Sequence, residues 1–166
     1  MSRILVLTTI LILTTFFSCK QTQEIKPEKY SNQVGEIVFD EKIDDPAFKV
    51  ADTLPIFAKP RYEGEKPAII KYFAENYESK GFEKTNGYVT IRLYINNEGM
   101  EGKFRMQTMD FEYQPVELNK KFCNHILLLT KNYKGWNAIQ YEDKSLGYYC
   151  YLSFKIINGE IKEIMP

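Results

Sequence analysis

Gly87-Tyr-Val-Thr-Ile-Arg-Leu-Tyr-Ile-Asn-Asn-Glu-Gly99 alternates strictly before it breaks. Val89, Ile91, Leu93 and Ile95 fall on one side of an extended chain and Tyr88, Thr90, Arg92 and Tyr94 on the other, because successive strand side chains face opposite ways. One face is expected to be core, and the other open and rich in tyrosine. Asn96-Asn97-Glu98-Gly99 is turn chemistry, so residues 103–109 are expected to return as a second strand.

Residues 148–157 alternate again, with Cys150, Leu152, Phe154 and Ile156 opposed to Tyr149, Tyr151, Ser153 and Lys155. Helical spacing fills the intervals. Pro67 suits a first helical position, Ile69, Phe73 and Tyr77 follow at steps of four, and Gly81 lies beyond the end. Pro115 opens a second helix whose stripe is Leu118, Phe122, Ile126, Leu129 and Tyr133, with Gly135 placed to end it. Helix, two strands, helix, strand is an α+β order.

Ahead of these elements the chain has a different character. Arg3 precedes an uncharged apolar run from Ile4 to Phe17, followed by Ser18 and Cys19. A basic start, a short apolar stretch and a small residue at a cleavage point describe a secretory signal peptide. As a helix the run would reach only about 21 Å, too short to span a bilayer comfortably. Phe16-Phe17-Ser18-Cys19 resembles the lipobox of bacterial lipoproteins. The resemblance implies cleavage before Cys19, lipidation of its thiol and an anchored mature chain. An ordinary secreted protein and a retained membrane helix are the alternatives. Lys20, rather than an acidic residue, follows Cys19. By resemblance to lipoprotein sorting signals, this favours the periplasmic face of the outer membrane over the inner.

The expected organisation is a signal peptide at 1–18, the lipidated cysteine and a flexible tether at 19–33, a short extended lead-in at 34–47 and a folded domain at 48–166. About 148 residues remain after cleavage, enough for one domain with a real core. The tether is polar, with little to bury, and reaches at most about 50 Å when extended. Lys plus Arg and Asp plus Glu both number 22, so no basic surplus exists to displace counterions from nucleic acid.

Residues 48–157 resemble the carboxy-terminal domain of TonB-type energy transducers. The resemblance rests on Ala51-Asp-Thr-Leu-Pro-Ile-Phe57 before the first helix, on residues 87–99 as first strand and turn, on Trp136 after the second helix and on Tyr149-Cys-Tyr-Leu-Ser-Phe154 as last strand. The chain departs from the family pattern at Phe57-Ala58-Lys59-Pro60, lacks a Tyr-Pro near residues 77–82, and has Asn137-Ala138 after Trp136. The resemblance implies a small antiparallel sheet with both helices packed on one face and the first strand between the other two. It also implies strand addition, in which an extended segment of an outer-membrane or periplasmic protein, such as a TonB-dependent receptor, pairs with the edge of the last strand. The residues carried over to that edge are Tyr149, Cys150, Tyr151, Leu152 and Ser153, with Tyr88, Arg92 and Tyr94 as open-face contacts. A transducer also needs an inner-membrane helix and a long Pro-rich reach, which the reading of this chain does not provide. An interaction module without energy transduction is therefore expected.

Asn158-Gly159 is a hairpin signal, so residues 160–164 are expected to fold back as a loosely held cover on that edge. Removing them should then tighten partner capture, and Tyr151→Pro should abolish it. A second function class is envelope-polymer binding, with peptidoglycan the example, through Arg92, Lys103 and Arg105 beside the tyrosines. An enzyme is the third. His125 is the chain's one histidine, and Cys123, two positions away on a helix, diverges from it. No catalytic set, metal-spaced cluster or cofactor motif is read, and Asp44-Asp45, Glu160 and Glu163 read as solvated charges. With Cys19 committed to lipid, Cys123 and Cys150 are an even pair in an oxidising compartment. They either form a disulfide or remain two buried thiols.

Overall fold

The computed structural model describes residues 37–50, 53–57, 59, 61 and 63–165, with backbone pairing alone for 53–57. The expected signal peptide, Cys19 and the expected tether lie outside the described residues.

The elements in chain order are β1 (Thr53–Phe57), α1 (Glu65–Asn76), β2 (Gly87–Ile95), β3 (Glu101–Met109), α2 (Lys120–Asn132), β4 (Ile139–Tyr141), β5 (Lys144–Ile157) and β6 (Glu160–Met165). The period-two stretch at 87–95 forms β2, with antiparallel neighbours on both sides: Ile91 stands opposite Met106 of β3 and Leu152 of β5. The expected turn closes this first hairpin. Asn96 Oδ1 accepts the Glu98 and Met100 amides at 2.9 and 2.8 Å, and Gly99 takes φ 79, which a residue without Cβ adopts at little cost.

β5 is longer than the alternation suggested, because a short hairpin with β4 extends it backwards to Lys144. Its second side is shared. β1 runs parallel to it at Gly147 and Tyr149, and β6 pairs antiparallel with Ser153 to Ile157. The sheet is otherwise antiparallel.

Both helices cover one face. Ile69 and Phe73 of α1 and Phe122, Ile126 and Leu129 of α2 pack with Val89, Ile91, Leu93, Cys150, Leu152, Phe154 and Ile156 in one buried cluster. Removing that apolar surface from water stabilises the fold by about 1.5–3 kcal/mol for each large side chain. The second helix starts later than expected. Pro115 does not open it but bridges to Met109 beside β3, and Asn119 is the cap, accepting the Lys121 and Phe122 amides at 2.9 and 3.2 Å. Pro67 sits in the first turn of α1 rather than at its first position.

The expected open face is only half open. Tyr94 and Tyr149 are fully or nearly buried there, beneath Ile37 and Phe48 of the lead-in. Phe48 meets Tyr94 edge to face at 6.0 Å, and its ring lies where a Cβ on Gly102 would come within 2.6 Å. Residues 37–50 therefore form a strap across the sheet. Asp44, expected to be solvated, is 8% exposed and engages both nitrogens of the Arg105 fork at 2.8 and 2.6 Å. Arg105 also donates to the Val38 carbonyl, and Lys103 to that of Ile37.

Cys123 and Cys150 are free thiols, so the disulfide is not formed. The register explains the separation. Phe122, beside Cys123, packs on Tyr77 and Phe82, which close around Gly159 just past the end of β5. Cys150 lies seven positions before Ile157, about 23 Å along an extended strand, whereas a disulfide needs Cα atoms within about 7 Å.

Candidate functional site

A strand can accept a new neighbour only where its backbone N–H and C=O groups face outward without a ladder. Tyr149 to Ser153 do not meet that condition as a free edge. β2 lies along one side of β5 throughout this stretch, while β1 reaches Tyr149 and β6 begins at Ser153 on the other. On that second side only Cys150, Tyr151 and Leu152 lie between the two neighbours, a gap of three residues rather than an edge. The cover is also not loosely held: Ile164 is buried opposite Phe154, and Ile161 packs against the same core.

The sheet's margin on that side is formed by β1 and β6 in turn, and among the described residues no strand pairs with the outer edge of β6. A groove of 450 Å³ runs beside it, between β6 and α1. Ile70, Phe73, Ala74, Ile161 and Ile164 provide the apolar lining, and Lys66, Glu160, Lys162 and Glu163 bring charge to it. Tyr77 closes one end. Its hydroxyl donates to the Gly159 carbonyl, and burial, followed by the negative charge of Glu160, pushes its pKa up to about 12. It therefore stays neutral and holds the mouth of the β5–β6 hairpin to α1.

The opposite margin is less accommodating. β3 is partly closed by Val116, whose amide donates to the Thr108 carbonyl, and Glu101 is ion-paired with Lys134. Lys131 also lies over the Phe104 ring, 5.2 Å from its centre.

The sequence-derived open-face residues separate. Tyr94 is core under the strap. Tyr88 stacks on Tyr113 at 5.4 Å and meets Phe111 edge to face at 5.7 Å, forming an aromatic cluster at the far end of the same face. Arg92 stands between Arg105 and Tyr151 across the strands, and burial together with the Arg105 charge lowers its pKa below the ordinary guanidinium value. Two of the three cations considered for polymer binding, Lys103 and Arg105, are engaged in fastening the strap.

His125 lies beside the rings of Tyr77 and Phe82, and its Nε2 is buried without a hydrogen-bond partner among the described residues. Among the described residues, no group of three metal-ligating side chains converges. Burial pushes the Cys150 thiol far above its ordinary pKa, so this expected edge residue is a neutral core side chain.

Sequence reasoning missed Lys66, Ile70 and Ala74 of the groove and the strap's hold on the sheet. Ile70 and Ala74 stand one position after the core residues Ile69 and Phe73, a shoulder on the apolar stripe that marks a second contact face. No signal in the sequence joined Asp44 to Arg105. Compared with protein-family models, curated proteins and solved structures, the chain matches none.

Proposed function

We propose that this chain is a lipid-anchored, periplasm-facing interaction module of the TonB carboxy-terminal type. It binds an extended segment of an envelope protein by strand addition and has no energy transduction of its own. The observation that carries the reading is the 450 Å³ groove beside the outer edge of β6. A segment laid along that edge would gain main-chain hydrogen bonds from β6, and every second side chain would enter the space between β6 and α1. Two helices on one face and β2 between its neighbours agree with the resemblance in the sequence. The pairing of β5 on both sides over most of Tyr149 to Ser153 supports β6 as the better candidate edge.

The test is photo-crosslinking in intact cells from Lys162 and Ile70, with Tyr113 on the other face as comparison. The expected result is a discrete envelope protein captured from the two groove positions. Ile70 is exposed, so Ile70→Glu should leave the fold intact while weakening capture by about tenfold, equivalent to about 1.4 kcal/mol. Capture confined to Tyr113 would transfer the site to the aromatic cluster and give polymer or protein recognition there precedence.

A further inference from the structure

We infer that the outer side of the strap, residues 37–50, rests on the lipid surface that holds the chain; this extends the lipid-anchored reading above and depends on it. The strap has two sides of opposite use. Ile37, Asp44 and Phe48 turn inward onto the sheet, whereas Val38, Phe39 and Ile43 are 75%, 46% and 59% exposed. Single exposed apolar residues are ordinary on a protein surface. These three flank one tight turn, in which the Ile43 and Asp44 amides donate to the Asp40 carbonyl at 3.1 and 2.9 Å.

They are also prevented from turning in. Arg105 holds the Val38 carbonyl, Lys103 holds that of Ile37, and Asp44 accepts the Asp40 amide at 2.8 Å while bound to Arg105. The sheet thus grips the strap by its polar backbone and displays its apolar side chains.

The path of the chain identifies the occupant. Ile37 lies eighteen positions after Cys19. A segment of that length reaches at most about 60 Å, and about 25 Å as a coil, and the strap is the described part of the domain that follows the anchor first along the chain. Anchoring makes a contact with the bilayer intramolecular, so three apolar side chains that could not hold a free protein can orient a tethered one. The strap's exposed charges balance, Glu41 and Asp45 against Lys42 and Lys49, so the patch carries no net charge to favour an anionic surface over a zwitterionic one. The strap lies on the sheet face opposite the helices, so this contact leaves the groove along α1 directed away from the membrane.

The test uses the mature chain from Cys19, with Cys123→Ser, coupled at Cys19 to a maleimide lipid in zwitterionic vesicles carrying brominated acyl chains. The synthetic anchor separates this test from whether cells lipidate Cys19. Phe39→Trp is compared with Leu128→Trp on the helix face; the native Trp136 is buried and contributes a constant background. Fluorescence of the Phe39→Trp chain should fall at least about twofold more than that of Leu128→Trp, as expected for a side chain entering the headgroup and acyl boundary. Adding Val38→Asp and Ile43→Asp should erase the difference. Equal quenching at the two positions, or none at either, overturns the inference. So does dimerisation of the unanchored chain that the same two substitutions abolish, which would assign the patch to a second copy.

Discussion

Asp44 and Arg105 show how much one pair can decide. The carboxylate is nearly buried and meets the guanidinium fork through both oxygens, while the fork also holds the strap's backbone. The hydrogen bond from Arg105 lowers the Asp44 pKa, and burial opposes it with a smaller effect. A carboxyl with a depressed folded-state pKa stabilises the protein above its unfolded value, near 3.9, and loses that contribution as pH falls through the folded value. Asp44→Asn leaves Arg105 without its counter-charge. It should lower stability by about 3 kcal/mol at pH 7, the scale for breaking a buried pair. Urea unfolding should show the gap to the parent chain narrowing below about pH 4, where the carboxylate of the unfolded parent chain takes up a proton before the folded one does. A gap that does not change with pH would mean that the pair's charge contributes nothing.

Among the elements, β6 differs most from expectation. Read locally, five or six residues with Ile161 and Ile164 out of alternation make a weak strand. In the fold Ile164 reaches the main core, and Tyr77 fastens the hairpin by its Gly159 carbonyl. Truncation after Asn158 removes both isoleucines from that core, at about 1.5–3 kcal/mol for a fully buried side chain. The shortened chain should lose about 3–5 kcal/mol in urea unfolding. It should also lose partner capture, whereas the expectation of a loose cover was that capture would tighten. Stronger capture by a folded, truncated chain would return the site to β5. Tyr151→Pro no longer tests binding alone. Tyr151 stands opposite Arg92 in the long β2–β5 ladder, where a proline would also weaken the sheet, so loss of capture would have to be read beside a measurement of folding.

At the scale of the whole molecule, a single sheet carries three different surfaces: helices on one face, a strap and an aromatic cluster on the other, and a groove at the β6 margin. No helix among the described residues is long and apolar enough to cross a membrane. The attachment proposed above rests on the lipid at Cys19. Two or more acyl chains contribute about 0.8 kcal/mol per buried methylene and hold a protein stably. Cys19→Ser should therefore move it into the soluble periplasmic fraction, and membrane partitioning unchanged by that substitution would refute lipid anchoring. The sequence by itself determined what depends on local geometry. Alternation in 87–95 and 148–157 follows from the two-residue repeat of a strand, the stripe from Phe122 to Tyr133 from the turn of a helix, and the β5–β6 hairpin from Asn158-Gly159. Tertiary structure alone decided which strand became the margin and which tyrosines stayed exposed. Asp44 and Arg105 lie sixty-one positions apart, and β1 joins β5 from the far side of α1. Such pairings have no period to reveal them, because they form only when distant segments compete to bury the same backbone and apolar surface.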